Sequence, residues 1–515
     1  LKTNVFREIF MSHRDSLLRF YFAQLIRAVS LTLIYSSLAV WSSIVSAELE
    51  EIIVTARKKA EGLQDTPISI TALSGSRLED MGITKITKLQ DVTPNLVFQN
   101  TPTFSGAGNN AAVYIRGIGQ RDFIPTIDPG VGIYVDEVYL GRSAGAVFDM
   151  IDIAQVEVLR GPQGTLFGRN TIGGAISIST AKPDEVLAGK FDVKIGTDSR
   201  QNFRGMINLP ISDKFFMRAS AASMEQDGYV FRPFDGKDLG DQDYTSARLA
   251  FRFLATENLT ADLAFDYYDD KTNGPPMLIT RVDGFPNNFA VVPSLGEPPF
   301  GPGPPGNFPY INNLAAGITT VGGPDDLNVA CESAGPPVAC YTSALAVTGN
   351  NTNLGTGPNY SEMENQAATL TLVWELDEIT AKLIAAHRSL DGSFASDRDG
   401  YPQADGDQWI PGGPPAFINP VTHYFDTFIQ DQTSIEMQLS GTSFDSQVDW
   451  VIGVYDFEED GENINPVDFP PASIQSGGYF DYSSEAIFAQ ITAQVSESFS
   501  ATAGVRYTKE SRDYT

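Results

Sequence analysis

From about residue 188 onward, apolar and polar positions alternate with a period of two. Ile435, Met437 and Leu439 alternate with Ser434, Glu436, Gln438 and Ser440. Ala261, Leu263, Phe265 and Tyr267 alternate with Asp262, Ala264, Asp266 and Tyr268. Ile487, Ala489, Ile491, Ala493 and Val495 alternate with Phe488, Gln490, Thr492 and Gln494. This is the side-chain repeat of a β-strand, so one face of each run meets hydrocarbon or a core and the other meets water. About eleven such runs begin near residues 188, 202, 215, 244, 259, 364, 379, 431, 447, 483 and 499. Short turns at 211–214, 255–258, 375–378, 441–446 and 497–500 take turns with mostly long segments. The long segments are roughly 227–243, 270–363, 390–430 and 458–482, after a short first one near 197–201. Short connections on one side and long loops on the other predict a mainly β fold, a transmembrane antiparallel β-barrel occupying 188–515. Closure would leave no exposed edges. A single-chain barrel needs an even number of strands, so an eleventh strand reaching Thr515 predicts a partial barrel that continues beyond it.

The first part of the chain reads differently. The chain starts at Leu1, and Met11 is the first plausible initiator, so residues 1–10 are expected to be untranslated. Arg14, Arg19 and Arg27 precede an apolar stretch, Ala28–Val45, that ends in Val45-Ser46-Ala47. This predicts a cleaved signal peptide at 11–47. The alternative, a membrane anchor, is disfavoured by serines within the stretch and by the lack of a basic cluster after it. A polar segment at 48–57 follows, with β-prone Ile52–Ala56 on what reads as an exposed tether. Such a segment can add as a strand to a partner's sheet, or simply open a domain. Residues 58–183 read as a compact α+β unit. Ser76 and Glu79 suit a capping box opening a helix through Met81, and a second helix is expected at about 85–91, before Pro94. β-like pieces follow at 111–119, 131–142 and 153–162, then a glycine-rich run, Leu159–Thr180.

Composition narrows the function. The net charge is −29, from 35 basic and 64 acidic residues, which disfavours binding to phosphate backbones, so no nucleic acid is expected. With 42% hydrophobic residues there is material for a core, but no apolar run after residue 47 is long enough for a transmembrane helix. Two cysteines and three histidines leave little for a zinc site, so neither a metal site nor a cofactor is expected. Cys331 and Cys340 are expected to pair in an oxidising compartment rather than remain free thiols. Acidic residues at 391–407 do not follow EF-hand spacing and read as a solvated loop. No nucleophile elbow, HExxH or P-loop is present, so no catalytic residue and no enzyme is expected.

EIIVTA (51–56), YIRGIG, GIYVDEVY and VEVLRGPQGTLFGRNTIGGAISI together resemble the TonB-dependent receptors of the Gram-negative outer membrane. In that family an N-terminal plug fills a 22-stranded barrel, of which about eleven strands would be present here. The resemblance implies that Glu51, Ile52, Ile53, Val54, Thr55 and Ala56 form a TonB box that pairs with the inner-membrane-anchored TonB protein. It implies a monomer in outer-membrane lipid that imports a scarce ligand, a ferric siderophore or other iron complex foremost. Cobalamin or an oligosaccharide would use the same architecture, and a passive porin would share only the barrel. Plug loops 103–110 and 119–128 would face the ligand, with Phe104, Asn109, Arg121 and Phe123 as candidate contacts, unless these loops merely seal the lumen. Arg116, Arg160 and Arg169 are candidates to pair with lumen carboxylates such as Asp262, Asp266 or Glu436, or else face solvent.

Overall fold

The computed structural model describes residues 52–100, 110–121, 124–146, 152–275, 278, 352–353, 355, 357–397, 423–445, 447–469, 472–496 and 499–515. The signal segment 11–47, Glu51, the cysteine pair and most of the loops 270–363 and 390–430 lie outside these residues. Every sheet and helix of the described residues lies within Ile53–Thr515.

Eleven antiparallel strands form one sheet in chain order: Ala188–Ile195, Gln201–Ser212, Phe215–Gln226, Gln242–Leu254, Leu259–Thr272, Tyr360–Leu376, Ile379–Asp397, His423–Ser443, Val448–Phe469, Ala472–Ser496 and Phe499–Tyr514. The runs read from alternation all become strands. Burial decides which face is which. Ile435, Met437 and Leu439 are 39%, 53% and 46% exposed, whereas Ser434, Glu436 and Gln438 are 4–7% exposed. A water-soluble sheet does the reverse. Apolar side chains outward and polar ones inward is the arrangement of a wall between lipid and a polar lumen.

The segment 458–482 is not the loop its pattern predicted. It is a hairpin paired from Glu458↔Ser483 to Phe469↔Ala472. The strand Val448–Phe469 has 22 residues. At about 3.3 Å per residue and a tilt near 45° it rises roughly 50 Å, about twice the apolar band of an outer-membrane barrel. Outward positions change from Ile452 and Val454 to Asp456, Glu458 and Asp460 along it. Above the lipid nothing demands apolar alternation, yet the backbone ladder continues. The loop 227–243 likewise holds a small hairpin, Val230–Arg232 with Lys237–Leu239.

Inside the wall sits an α+β plug. Its main sheet has the order Ile70–Ser74, Ile153–Arg160, Gly174–Thr180, Val131–Val135, Val138–Tyr139. A smaller sheet pairs Leu96–Gln99, Ala112–Ile115 and Ile118–Gln120. Leu78, Ile86, Leu89, Phe98, Ile115, Val156, Val158, Ile176 and Ile178 form its core. The first helix is Gly75–Asp80, capped by Ser74, whose hydroxyl accepts from the Arg77 amide. Ser76 is therefore not the cap, because Gly75 is already helical. The second helix, Ile86–Asp91, winds as a 3-10 helix.

Candidate functional site

Ile53 and Val54 do not hang free. They pair antiparallel with Gly62 and Glu61. Val54 and Ala56 are buried, which removes from water the apolar surface an extended tether would expose. A turn centred on Lys58, at φ 59°, folds the segment back, with the Lys58 amide donating to Thr55 O at 2.9 Å. Two side chains of the plug strand Ile153–Arg160 hold its backbone. Gln155 donates to Ile53 O at 2.8 Å. The Thr55 amide and hydroxyl donate to Glu157 Oε1 at 2.8 and 3.2 Å. Burial pushes the Glu157 carboxyl above its ordinary range, against these hydrogen bonds.

This segment lies at the short-turn end of the wall. Lys59 pairs with Asp449 at 2.6 Å, and Arg57 donates to Thr492 at 3.0 Å. Asp449 and Thr492 face each other beside the turn at 444–447.

Between plug and wall runs a seam of polar contacts. The two-residue turn Asp136-Glu137 joins Val135 to Val138 with both residues at positive φ, 49° and 68°. Left-handed backbone is common for glycine, asparagine and aspartate but uncommon for glutamate. Asp136 meets Arg248 at 2.5 Å and Lys182 at 3.2 Å, and accepts from Thr180 Oγ1 at 2.7 Å. Glu137 meets Lys382 at 2.7 Å and Lys58 at 3.6 Å. Burial alone would raise both carboxyls, but Lys182 and Arg248 hold Asp136 down at about 2, and Lys382 and Lys58 do the same for Glu137. Lys58 also reaches Glu436 at 3.2 Å. Burial opposes its charge, and Glu436 and Glu137 more than offset this.

Nearer the long-loop end, Arg142 grips Glu459 with two bonds of 2.6 and 2.9 Å and donates to Pro125 O at 2.7 Å. Its guanidinium lies 4.6 Å from the Tyr482 ring centre and 5.1 Å from that of Phe480. Gln432 of the wall behaves like a strand edge: it accepts from the Gly141 amide at 3.0 Å and donates to Tyr139 O at 2.7 Å.

The three arginines singled out from the sequence pair with no wall carboxylate among the described residues. Arg169 binds Asp128 of the plug at 3.1 Å and meets the wall through the Phe457 ring, at 5.5 Å. Arg160 donates to Ile70 O at 3.3 Å, inside the plug. Arg116 occupies the turn between Ile115 and Ile118, at φ 53°, and is exposed. Of the carboxylates named with them, Glu436 does meet a plug cation, Lys58. Asp266 and Asp262 are held by Arg248 and Arg252 of the wall itself. The seam also runs in the opposite sense, with plug carboxylates facing wall cations. Its signal in the sequence is the Asp-Glu pair at a two-residue turn, where Asn-Gly would be cheapest. Arg121 is exposed; Phe104, Asn109 and Phe123 lie outside the described residues.

A plug seated against the polar face of a lipid-facing antiparallel wall is the arrangement of a plugged outer-membrane barrel. The family model for the TonB-dependent Receptor Plug Domain matches residues 62–175, and that for the TonB dependent receptor-like beta-barrel matches residues 301–515. The chain belongs to the TonB-dependent receptors of the outer membrane. The pesticin receptor of Yersinia pestis is 34% identical over 193 residues, 36% of this chain and 27% of that protein. The ferripyoverdine receptor of Pseudomonas aeruginosa is 28% identical over 186 residues, 35% of this chain and 21% of that protein. The crystal structure of the ferric yersiniabactin uptake receptor from Yersinia pestis superposes with a TM-score of 0.63 at 19% identity, covering 87% of this chain and 57% of that one. At that identity the likeness is one of fold. The chain spans a little over half the length of this solved receptor, and its matches cover about a quarter of the two curated relatives.

Proposed function

We propose that this protein takes part in energised uptake of a scarce ligand across the outer membrane, a ferric siderophore foremost, with residues 51–56 as the TonB-binding segment. The observation that carries this reading is the Ile53–Val54 strand, held at the short-turn end by Gln155 and Glu157 of the plug's main sheet. Its backbone groups are those an added partner strand would need. Tension applied there passes directly into the strand Ile153–Arg160, which lies between Ile70–Ser74 and Gly174–Thr180. The polar part of the seam supports a plug that can yield, alongside small apolar patches such as Leu166 on Val451 and Phe488. Ion pairs and amide contacts exchange readily with water, whereas interlocked apolar packing would leave cavities on movement. The ferric yersiniabactin and ferripyoverdine receptors among the relatives support iron chelates as the first ligands to test.

The test is a receptor lacking residues 51–56, expressed in a strain deleted for the gene. It is expected to bind radio-iron siderophore at the cell surface and fail to accumulate it. Accumulation at the parental rate would overturn the assignment. Uptake that survives a proton uncoupler would indicate a passive pore. A panel of ferric chelates, cobalamin and oligosaccharides under iron limitation identifies the ligand class.

A further inference from the structure

Between plug and wall lies a cavity of about 130 Å³. Val138 and Leu140 of the plug line it, together with Ser246, Arg248, Asp266 and Arg388 of the wall. Both arginines are buried, at 9% and 4% exposure. Arg248 is well supplied with counter-charge: Nη1 meets both oxygens of Asp266 at 2.6 and 2.7 Å, and Nη2 meets Asp136 at 2.5 Å. Arg388 is not. Its Nε donates to Asn365 Oδ1 at 2.9 Å and its Nη2 to Gly145 O at 3.0 Å, both neutral acceptors. Nη1 of Arg388, Nε of Arg248 and Oγ of Ser246 are all buried without a hydrogen-bond partner among the described residues. Asp136 and Asp266 both serve Arg248, and Lys182 draws further on Asp136, so neither carboxylate contacts Arg388 among the described residues.

A guanidinium does not shed its proton in a protein, and a buried charge requires a counter-charge. We propose that this cavity binds one small inorganic anion, a halide such as chloride, between Arg388, Arg248 and Ser246. The three spare donors suit a monatomic anion. A phosphate or sulfate would bring further negative oxygens toward Asp136 and Asp266, which also line the cavity. Water fits the volume but leaves the charge standing. Arg388 also holds the plug through Gly145 O, so a bound anion steadies a guanidinium that ties plug to wall. The site is independent of which ligand the receptor carries.

The test uses the complete receptor in detergent. Crystals soaked in sodium bromide, measured at the bromine edge, are expected to show an anomalous peak within hydrogen-bonding range of Arg388 that is absent from Arg388→Gln. Density for water alone, with no anomalous signal, would overturn the proposal. In solution, exchanging gluconate for chloride at constant ionic strength is expected to raise the melting temperature by a few degrees, saturably. Arg388→Gln should abolish that rise, and Ser246→Ala, a smaller change should the first variant not fold, should weaken the response. A melting temperature indifferent to chloride in the parent protein would likewise sink the idea.

Discussion

At the scale of single residues, the most deeply buried charges that join plug to wall are individually decisive. The side chain of Glu459 is fully shielded, and among the described residues its one ion-pair partner is Arg142. Removing one member of such a pair leaves an unpaired buried charge, at a cost of about 3–5 kcal/mol. Arg142→Met is therefore expected to lower the melting temperature of the receptor in detergent markedly. Adding Glu459→Gln should recover most of the loss, as a double-mutant cycle would show. If Arg142→Met alone changes nothing, this pair does not hold the plug. The clamp on the N-terminal strand has a different signature, because on the proposed reading it would compete with TonB for one backbone edge. Glu157→Ala removes the acceptor for the Thr55 amide and hydroxyl. Losing hydrogen bonds to a charged group is worth about 1.5–3 kcal/mol, so the periplasmic domain of TonB should bind the unliganded variant ~10-fold more tightly or better. Equal affinity in a calorimetric titration would show that the docked strand does not limit recruitment.

At the scale of elements, strands are legible wherever lipid imposes alternation and illegible where it does not. Ile435, Met437 and Leu439 announce a strand because each must face hydrocarbon. The same strand begins already at His423, where no lipid sorts its residues. Thus the run read as starting near residue 431 starts earlier, and the supposed loop 458–482 is a paired hairpin whose outward row begins with Glu458 and Asp460. Within the plug, the pairing of Gly174–Thr180 parallel to Val131–Val135 has no local signature, since it joins segments about forty residues apart. The seam is half legible: charges are visible in the sequence, but their partners depend on register across two folded layers. Strand height is directly testable. In cells, cysteines replacing Asp460 or Glu458 should react with a membrane-impermeant maleimide, and those replacing Ile452 or Val454 should not. Labelling at Ile452→Cys would place the lipid boundary elsewhere.

For the whole molecule, the plug keeps its own apolar core and meets the wall through ion pairs interleaved with small apolar patches, such as Val138 on Ile384 and Ala386, and Leu166 on Val451 and Phe488. Its own apolar cluster keeps it folded, while ion pairs such as Lys59–Asp449 near one end and Arg142–Glu459 nearer the other keep it docked. Docking depends on charge more than the plug's own fold does, so the two should separate under acid. Asp136 and Glu137 are held at about 2 in the folded protein, below the ordinary carboxylate range. A carboxyl depressed on folding contributes stability that is complete above its unfolded value and disappears as pH falls through the folded one. The window is thus from about pH 4.5 down to about 2, with each group contributing on the order of 2 kcal/mol that is lost across it. Pepsin, active throughout that range, is expected to begin cutting within the plug as the window is crossed, while the wall stays protected. Asp136→Asn with Glu137→Gln removes both titrations, so its plug should be cut more readily at pH 5 and show a flatter acid response. A parent protein whose plug resists pepsin unchanged from pH 5 to pH 2 would mean that these two carboxylates do not govern docking.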